Sequence, residues 1–221
     1  MDTGFHDRAE AGRLLAAKLA HYADREDVIV LGLPRGGVPV AFEVAQSLGA
    51  PLDLFIVRKL GVPGYEELAM GAIASGGVRV LNHNVMAELR DADRILAEVT
   101  RQESIELERR EREYRDGRPA PDLRGRVVIL VDDGLATGAT MRAAVTALHK
   151  RKAAKIAVAV PVCAPDSCAR FSQEVDEMVW IIAPAGFRAV GQFYQDFSQT
   201  TDDEVRELLA AATELSHGLH V

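Results

Sequence analysis

Apolar residues follow two rhythms along this chain. Predominantly apolar runs at Asp27 to Leu33, Leu52 to Val57, Val127 to Val131, Lys155 to Val162 and Met178 to Ile182 predict strands. Between them, apolar residues recur at helical spacing, predicting helices at Val38 to Leu48, Met141 to Lys150, Pro165 to Glu174 and Asp202 to Leu215. The alternation predicts an α/β fold with a mainly parallel central sheet and helices on both faces. Val127 to Val131 has no polar residue and is rich in β-branched side chains, which suits a strand buried on both faces.

The remaining segments decorate that frame. Asp7-Arg-Ala-Glu10 has capping-box spacing, and Ala11, Leu14, Leu15, Leu19 and Tyr22 continue it as an amphipathic helix. Ala69 to Ala74 and Val78 to Leu81 flank Ser75-Gly76-Gly77, a hairpin signal. Gly61, Pro63 and Gly64 predict a mobile loop over Leu60 to Leu68. A long polar helix follows, with Glu106/Arg110, Glu108/Arg112 and Glu111/Arg115 at ion-pair spacing; it reads as a solvated arm. We take residues 1–221 as one domain with a helical insertion at about 83–118 and a carboxyl-terminal aromatic segment and helix at 183–216.

Composition narrows the function classes. The chain has 221 residues, 48% hydrophobic and 27% charged, as in ordinary globular proteins, and its net charge is −7. No overall basic field attracts nucleic acid, and no stretch has the length and apolarity of a membrane span or the pattern of a signal peptide. The expected compartment is the cytoplasm. Cys163 and Cys168 are the only cysteines and read as buried thiols, and the six histidines have no metal-ligand spacing.

Candidate chemistry sits where predicted strands meet helices, the ligand-binding edge of open α/β sheets. Asp132 and Asp133 follow the central strand directly, and carboxylates accept hydrogen bonds from sugar hydroxyls. Thr137, Gly138 and Thr140 then open a helix whose first N–H groups suit a phosphate. Acid pair and phosphate turn together suggest a ribose 5-phosphate. At the end of the first strand, Arg35-Gly36-Gly37 forms a second anion loop suited to pyrophosphate. Gly32-Leu-Pro-Arg-Gly-Gly37 has Walker A glycine spacing, but Val38-Pro39 replaces the required Lys-Ser/Thr, and Pro34 breaks a GxGxxG reading.

Asp132-Asp133-Gly-Leu-Ala-Thr137-Gly138-Ala-Thr140 resembles the 5-phosphoribosyl-1-pyrophosphate (PRPP) signature of type I phosphoribosyltransferases. The resemblance implies Mg²⁺-dependent transfer of a 5-phosphoribosyl group from PRPP to a nitrogenous base or similar nitrogen nucleophile, with release of pyrophosphate. By position, Asp132 and Asp133 would hold the ribose, and Leu135, Ala136, Thr137, Gly138, Ala139 and Thr140 the 5′-phosphate. Arg35, Gly36 and Gly37 would bind pyrophosphate, in a loop that in the family can contain a cis peptide. Arg58 and Lys59, with Asp133, would be the catalytic groups, on a loop that closes over the transition state, with Glu66 or Glu67 near the acceptor. Phe187, Val190, Phe193 and Tyr194 would line the acceptor site, and Asp196 would join a Mg²⁺ shell. Relatives acting on 6-oxopurines carry an acid where this chain has Ala136, so hypoxanthine or guanine is disfavoured as acceptor. The expected partners are PRPP and a small acceptor such as a nucleobase, with no nucleic acid and no membrane; the insertion could pack on a second subunit in a homodimer. Two alternatives stay open: a non-catalytic PRPP- or nucleotide-binding regulator, and transfer or hydrolysis with a non-base acceptor.

Overall fold

The computed structural model describes residues 4–218. Five parallel strands form the central sheet: β1 (Val28–Gly32), β2 (Leu52–Leu54), β6 (Val127–Val131), β7 (Lys155–Val162) and β8 (Glu177–Ile182), in the order β2-β1-β6-β7-β8. The central β6 is buried at every residue because both of its neighbours and both sheet faces are covered. Alternation along the strands sends Val28, Val30, Ile129 and Val131 to one face, against helices α1 (Arg8–Lys18) and α2 (Gly37–Leu48). Ile29, Leu31, Val128 and Leu130 go to the other, against α5 (Ala139–Lys150) and α6 (Pro165–Glu174). Asp7 caps α1 by accepting the Glu10 N–H at 2.8 Å.

A second sheet departs from expectation. The predicted strand over Leu52 to Val57 breaks after Leu54, and the predicted mobile loop is instead a long antiparallel hairpin. Its strands are β3 (Val57–Val62) and β4 (Tyr65–Ala74), joined at Pro63-Gly64 and paired from Val57↔Ala74 to Val62↔Tyr65. Gly61 lies at a register shift and the Pro-Gly pair at the tip, so the breaker residues mark the irregularities of a hairpin. β5 (Val78–Leu81) completes this three-stranded arm. The side chains of Glu66 and Glu67 lie outside the described ones.

The polar helical stretch is also corrected. A short α3 (His83–Ala87) precedes α4 (Ala92–Arg115), and α4 is no solvated arm. It buries Leu96, Leu107 and Tyr114 in a third core with Leu60 and Met70 of the arm and Val205 and Leu209 of α7 (Asp202–Gly218). Arg115 is buried too, donating to Asp53 at 2.9 Å, Glu111 at 3.1 Å and the Leu54 carbonyl at 3.0 Å. Its charge is tolerated because each donor finds an oxygen. Of the predicted surface pairs, Glu106–Arg110 forms at 2.6 Å and Glu111–Arg115 at 3.1 Å.

Cys163 and Cys168 are joined in a disulfide rather than standing as thiols, both buried at the start of α6. Among the described residues no helix is long and apolar enough to cross a membrane.

Candidate functional site

The carboxyl end of β6 delivers Asp132 and Asp133 to the sheet edge, where two loops meet them. The first follows β1. Its Pro34–Arg35 peptide is cis, and Gly36 and Gly37 lie directly against the acid pair. A Cβ at Gly36 would collide with the Asp133 carboxylate, and one at Gly37 would lie 2.7 Å from the Val131 carbonyl oxygen and 2.9 Å from the Asp132 Cα. Only a loop without side chains there can approach so closely. Arg35 reaches the rim, where its Nη1 is 3.7 Å from Asp202 at the start of α7. Asp202 also accepts the hydroxyl proton of Tyr114 from α4.

The second loop runs from Asp132 to the start of α5 and is held through its first half. Leu135 donates to the Val162 carbonyl at 2.9 Å and accepts from the Ala164 N–H at 2.8 Å, and the Ser167 hydroxyl donates to the Ala136 carbonyl. Those bonds leave Ala136, Thr137 and Ala139 exposed. Gly138 takes φ +75° and no side chain caps α5, so the first N–H groups of the helix point at the turn. A cavity of about 170 Å³ sits there, lined by Lys59, Asp132 and residues 134–141. Helix dipole, open N–H groups and the Lys59 ammonium make it a site for an anion.

A larger cleft of about 570 Å³ adjoins it, sharing Lys59 and Thr140. Pro34, Arg58, Gln102, Glu103 and Arg110 also line it, so α4 supplies one wall of the site. Arg58 donates to Glu103 at 2.6 Å, which turns its guanidinium toward α4, while Lys59 serves the turn before α5. Lys59 thus borders both cavities and Arg58 the larger one alone.

The acids share an unfavourable environment. Burial, and then the neighbouring Asp133 charge, push the Asp132 carboxyl well above the ordinary carboxylate range. Burial raises Asp133 as well, opposed by Arg8, whose Nε donates to Asp133 Oδ2 at 2.9 Å. Arg8 carries no sequence signal for this role: it is the first residue of a surface helix, and only tertiary folding brings it to the acids. Ser167 is equally silent in sequence.

The aromatic segment packs more tightly than an open acceptor site would. Val190 covers Gly134, Phe187 stacks on Phe193 at 5.7 Å, and Tyr194 is buried with its hydroxyl donating to the Asp133 carbonyl at 2.6 Å. Burial and the Asp133 charge raise the Tyr194 pKa, so the phenol stays a donor. Phe5 packs on Tyr194 at 5.4 Å, and its N–H donates to the Phe193 carbonyl. Of the four residues expected at the acceptor, Tyr194 is thereby committed to supporting the acid pair from beneath. Asp196 is exposed and accepts the Ser198 N–H at 2.9 Å, and no group of three or more metal-ligating side chains occurs among the described residues.

The family model described as "Phosphoribosyl transferase domain" matches residues 5–191. Two Mycobacterium tuberculosis relatives, "Putative phosphoribosyl transferase MT0597" and "Putative phosphoribosyl transferase Rv0571c", are each 51% identical over 208 residues. The match takes in 94% of this chain but 47% of each relative, so the chain spans about half the length of these proteins. The crystal structure of TT1426 from Thermus thermophilus superposes with a TM-score of 0.83 at 41% identity, covering 94% of this chain and 98% of that one. With the family model covering most of its length and a close structural relative matching nearly end to end, the chain belongs to the phosphoribosyl transferase family.

Proposed function

We propose that this chain transfers the 5-phosphoribosyl group of PRPP to a nitrogen nucleophile, a nucleobase or a similar small acceptor, and releases pyrophosphate. The observation that carries the reading is the convergence of two anion loops on one desolvated acid pair: Gly36-Gly37 on one side, the turn before α5 on the other. That spacing of charge preference, anion then hydroxyl acceptor then anion, matches a sugar phosphorylated at both ends.

The turn from Leu135 to Thr140, with Lys59, would hold the 5′-phosphate, and Asp132 and Asp133 would accept hydrogen bonds from the ribose hydroxyls. The Arg35 loop and the cations of the larger cleft, Arg58 and Arg110, would take the pyrophosphate. In the reaction the bond from C1 to the pyrophosphate oxygen breaks, a C–N bond forms, and the acceptor nitrogen loses its proton. The protein contributes by holding both reactants and stabilising the leaving group's charge. Mg²⁺ would arrive on PRPP rather than wait in a protein cage, since no group of three or more metal-ligating side chains occurs among the described residues. That ion would supply neutralisation of the departing pyrophosphate. Exposed Ala136 at the lip of the turn supports an acceptor other than a 6-oxopurine.

The test is Mg²⁺-dependent pyrophosphate release from PRPP with a panel of purine and pyrimidine bases, with Asp133→Asn as control. Release with one base, lost in the variant, is the expected result. PRPP binding by calorimetry without release under any base would overturn the transferase reading in favour of a regulator. Release independent of base would assign hydrolysis.

A further inference from the structure

We propose that Arg8 is a positioning residue that fixes the Asp133 carboxylate for the ribose, an inference that rests on the proposed PRPP chemistry. The guanidinium is held on three sides. Its Nε donates to Asp133 Oδ2 at 2.9 Å, its Nη1 donates to the Ser198 carbonyl at 2.7 Å, and its Cζ lies 4.1 Å from the centroid of the Phe197 ring. The Arg8 and Asp133 side chains are only 12% and 15% exposed, so the pair is shielded from competing water. Tyr194, which packs at 5.1 Å against Phe197, supports the Asp133 backbone from the other side. Ring face, carbonyl and phenol therefore enclose one ion pair.

The consequence is a carboxylate with one oxygen assigned and one left for ligand. Oδ2 is taken by Arg8 and lies against Gly36, where a Cβ would strike it, so Oδ1 is the oxygen that faces neither group. A free carboxylate at the end of a strand would rotate about its last torsion, and its two oxygens would be interchangeable. With Arg8 bound, the orientation of Oδ1 is set before the sugar arrives, and the ordering cost of binding falls. Arg8 also offsets part of the repulsion between the two acids, which keeps Asp133 available as an acceptor beside Asp132. It touches no reacting atom.

The two halves of the site allow a test that separates this role from general support of the fold. Ribose 5-phosphate requires the acids and the turn before α5, whereas inorganic pyrophosphate requires the Gly36 loop and the cleft cations. By calorimetry, Arg8→Gln is expected to weaken ribose 5-phosphate binding about tenfold or more, the scale of losing one charged hydrogen bond. Pyrophosphate affinity is expected to fall by clearly less than ribose 5-phosphate affinity, because Arg8 meets the Gly36 loop only at its edge, 3.3 Å from where a Gly36 Cβ would stand. Arg8→Lys, which keeps the charge but not the planar fork, is expected to recover part of the loss and serves as the test if Arg8→Gln does not fold. Arg13→Gln, on the exposed side of the same helix, should change neither. Equal binding of ribose 5-phosphate by wild type and a folded Arg8 variant would overturn the inference, as would parallel loss of both ligands. Failure of the wild-type chain to bind ribose 5-phosphate or PRPP would instead remove the proposed function on which it rests.

Discussion

Replacing Tyr194 by Phe would remove one oxygen and leave the ring in place. The ring keeps its contacts with Phe5 and Phe197, so the change isolates the bond from the hydroxyl to the Asp133 carbonyl, 2.6 Å long and in a residue 7% exposed. The net worth of a hydrogen bond is about 0.5–1.5 kcal/mol, and the loss becomes about 1–3 kcal/mol where a buried carbonyl is left without a partner. Asp133 is largely shielded, its side chain 15% exposed, so roughly 1–3 kcal/mol is expected. For a chain of this size that corresponds to a fall of roughly 2–12 °C in the melting midpoint. The assay is urea unfolding followed by circular dichroism. A lowered midpoint with an unchanged slope is expected, since the folded surface stays the same. Ribose 5-phosphate affinity should fall with it, because the same bond seats Asp133. A loss below about 0.5 kcal/mol would refute the reasoning by showing that the carbonyl finds water as readily as the phenol.

Two further outcomes follow from the same site. Burial raises the Asp132 carboxyl above its ordinary 3.8, so the folded chain holds that proton to higher pH than the unfolded chain. Stability from this group is therefore full below 3.8 and lost as pH rises through the raised value. Asp132→Asn, which can still accept the Asp133 N–H, should gain stability over wild type across that window and remain more stable at neutral pH while losing activity; a stability difference that does not change with pH would count against it. Gly138→Ala places a Cβ against the Phe171 ring at φ +75°, and is expected to cost about 2 kcal/mol or more and to abolish ribose 5-phosphate binding. Wild-type melting behaviour in that variant would show that the turn relaxes freely.

The legible parts of the molecule were those governed by local pattern. The boundaries of β6, β7 and α6 follow from runs of apolar residues and a Pro at a helix start, and the acid pair and threonines lie where a strand must hand over to a helix. The cis peptide and the glycine approach to Asp133 occur in the loop singled out for an anion. Elsewhere long-range packing outweighed local signals. Gly61, Pro63 and Gly64 are turn residues in any context, and only the ladder from Val57 to Ala74 makes the stretch a hairpin. The charge of α4 concealed widely spaced Leu96, Leu107 and Tyr114, whose burial depends on an arm and a helix distant in sequence. Arg115 and Arg8 are ordinary surface residues until Asp53 and Asp133 are brought to them.

The pairing of the chain's first described segment with a late one has a consequence in time. Phe5 and His6 exchange backbone hydrogen bonds with Phe193, Gln195 and Asp196, and Arg8 waits for both Asp133 and Ser198. During synthesis the sheet can assemble strand by strand as β6, β7 and β8 emerge, yet the guanidinium that braces the acid pair lacks its Phe197 and Ser198 contacts until residue 198 has left the ribosome. A nascent chain is therefore expected to acquire its shape before its ligand, and binding competence arrives as a late event, set by the translation of one short aromatic stretch.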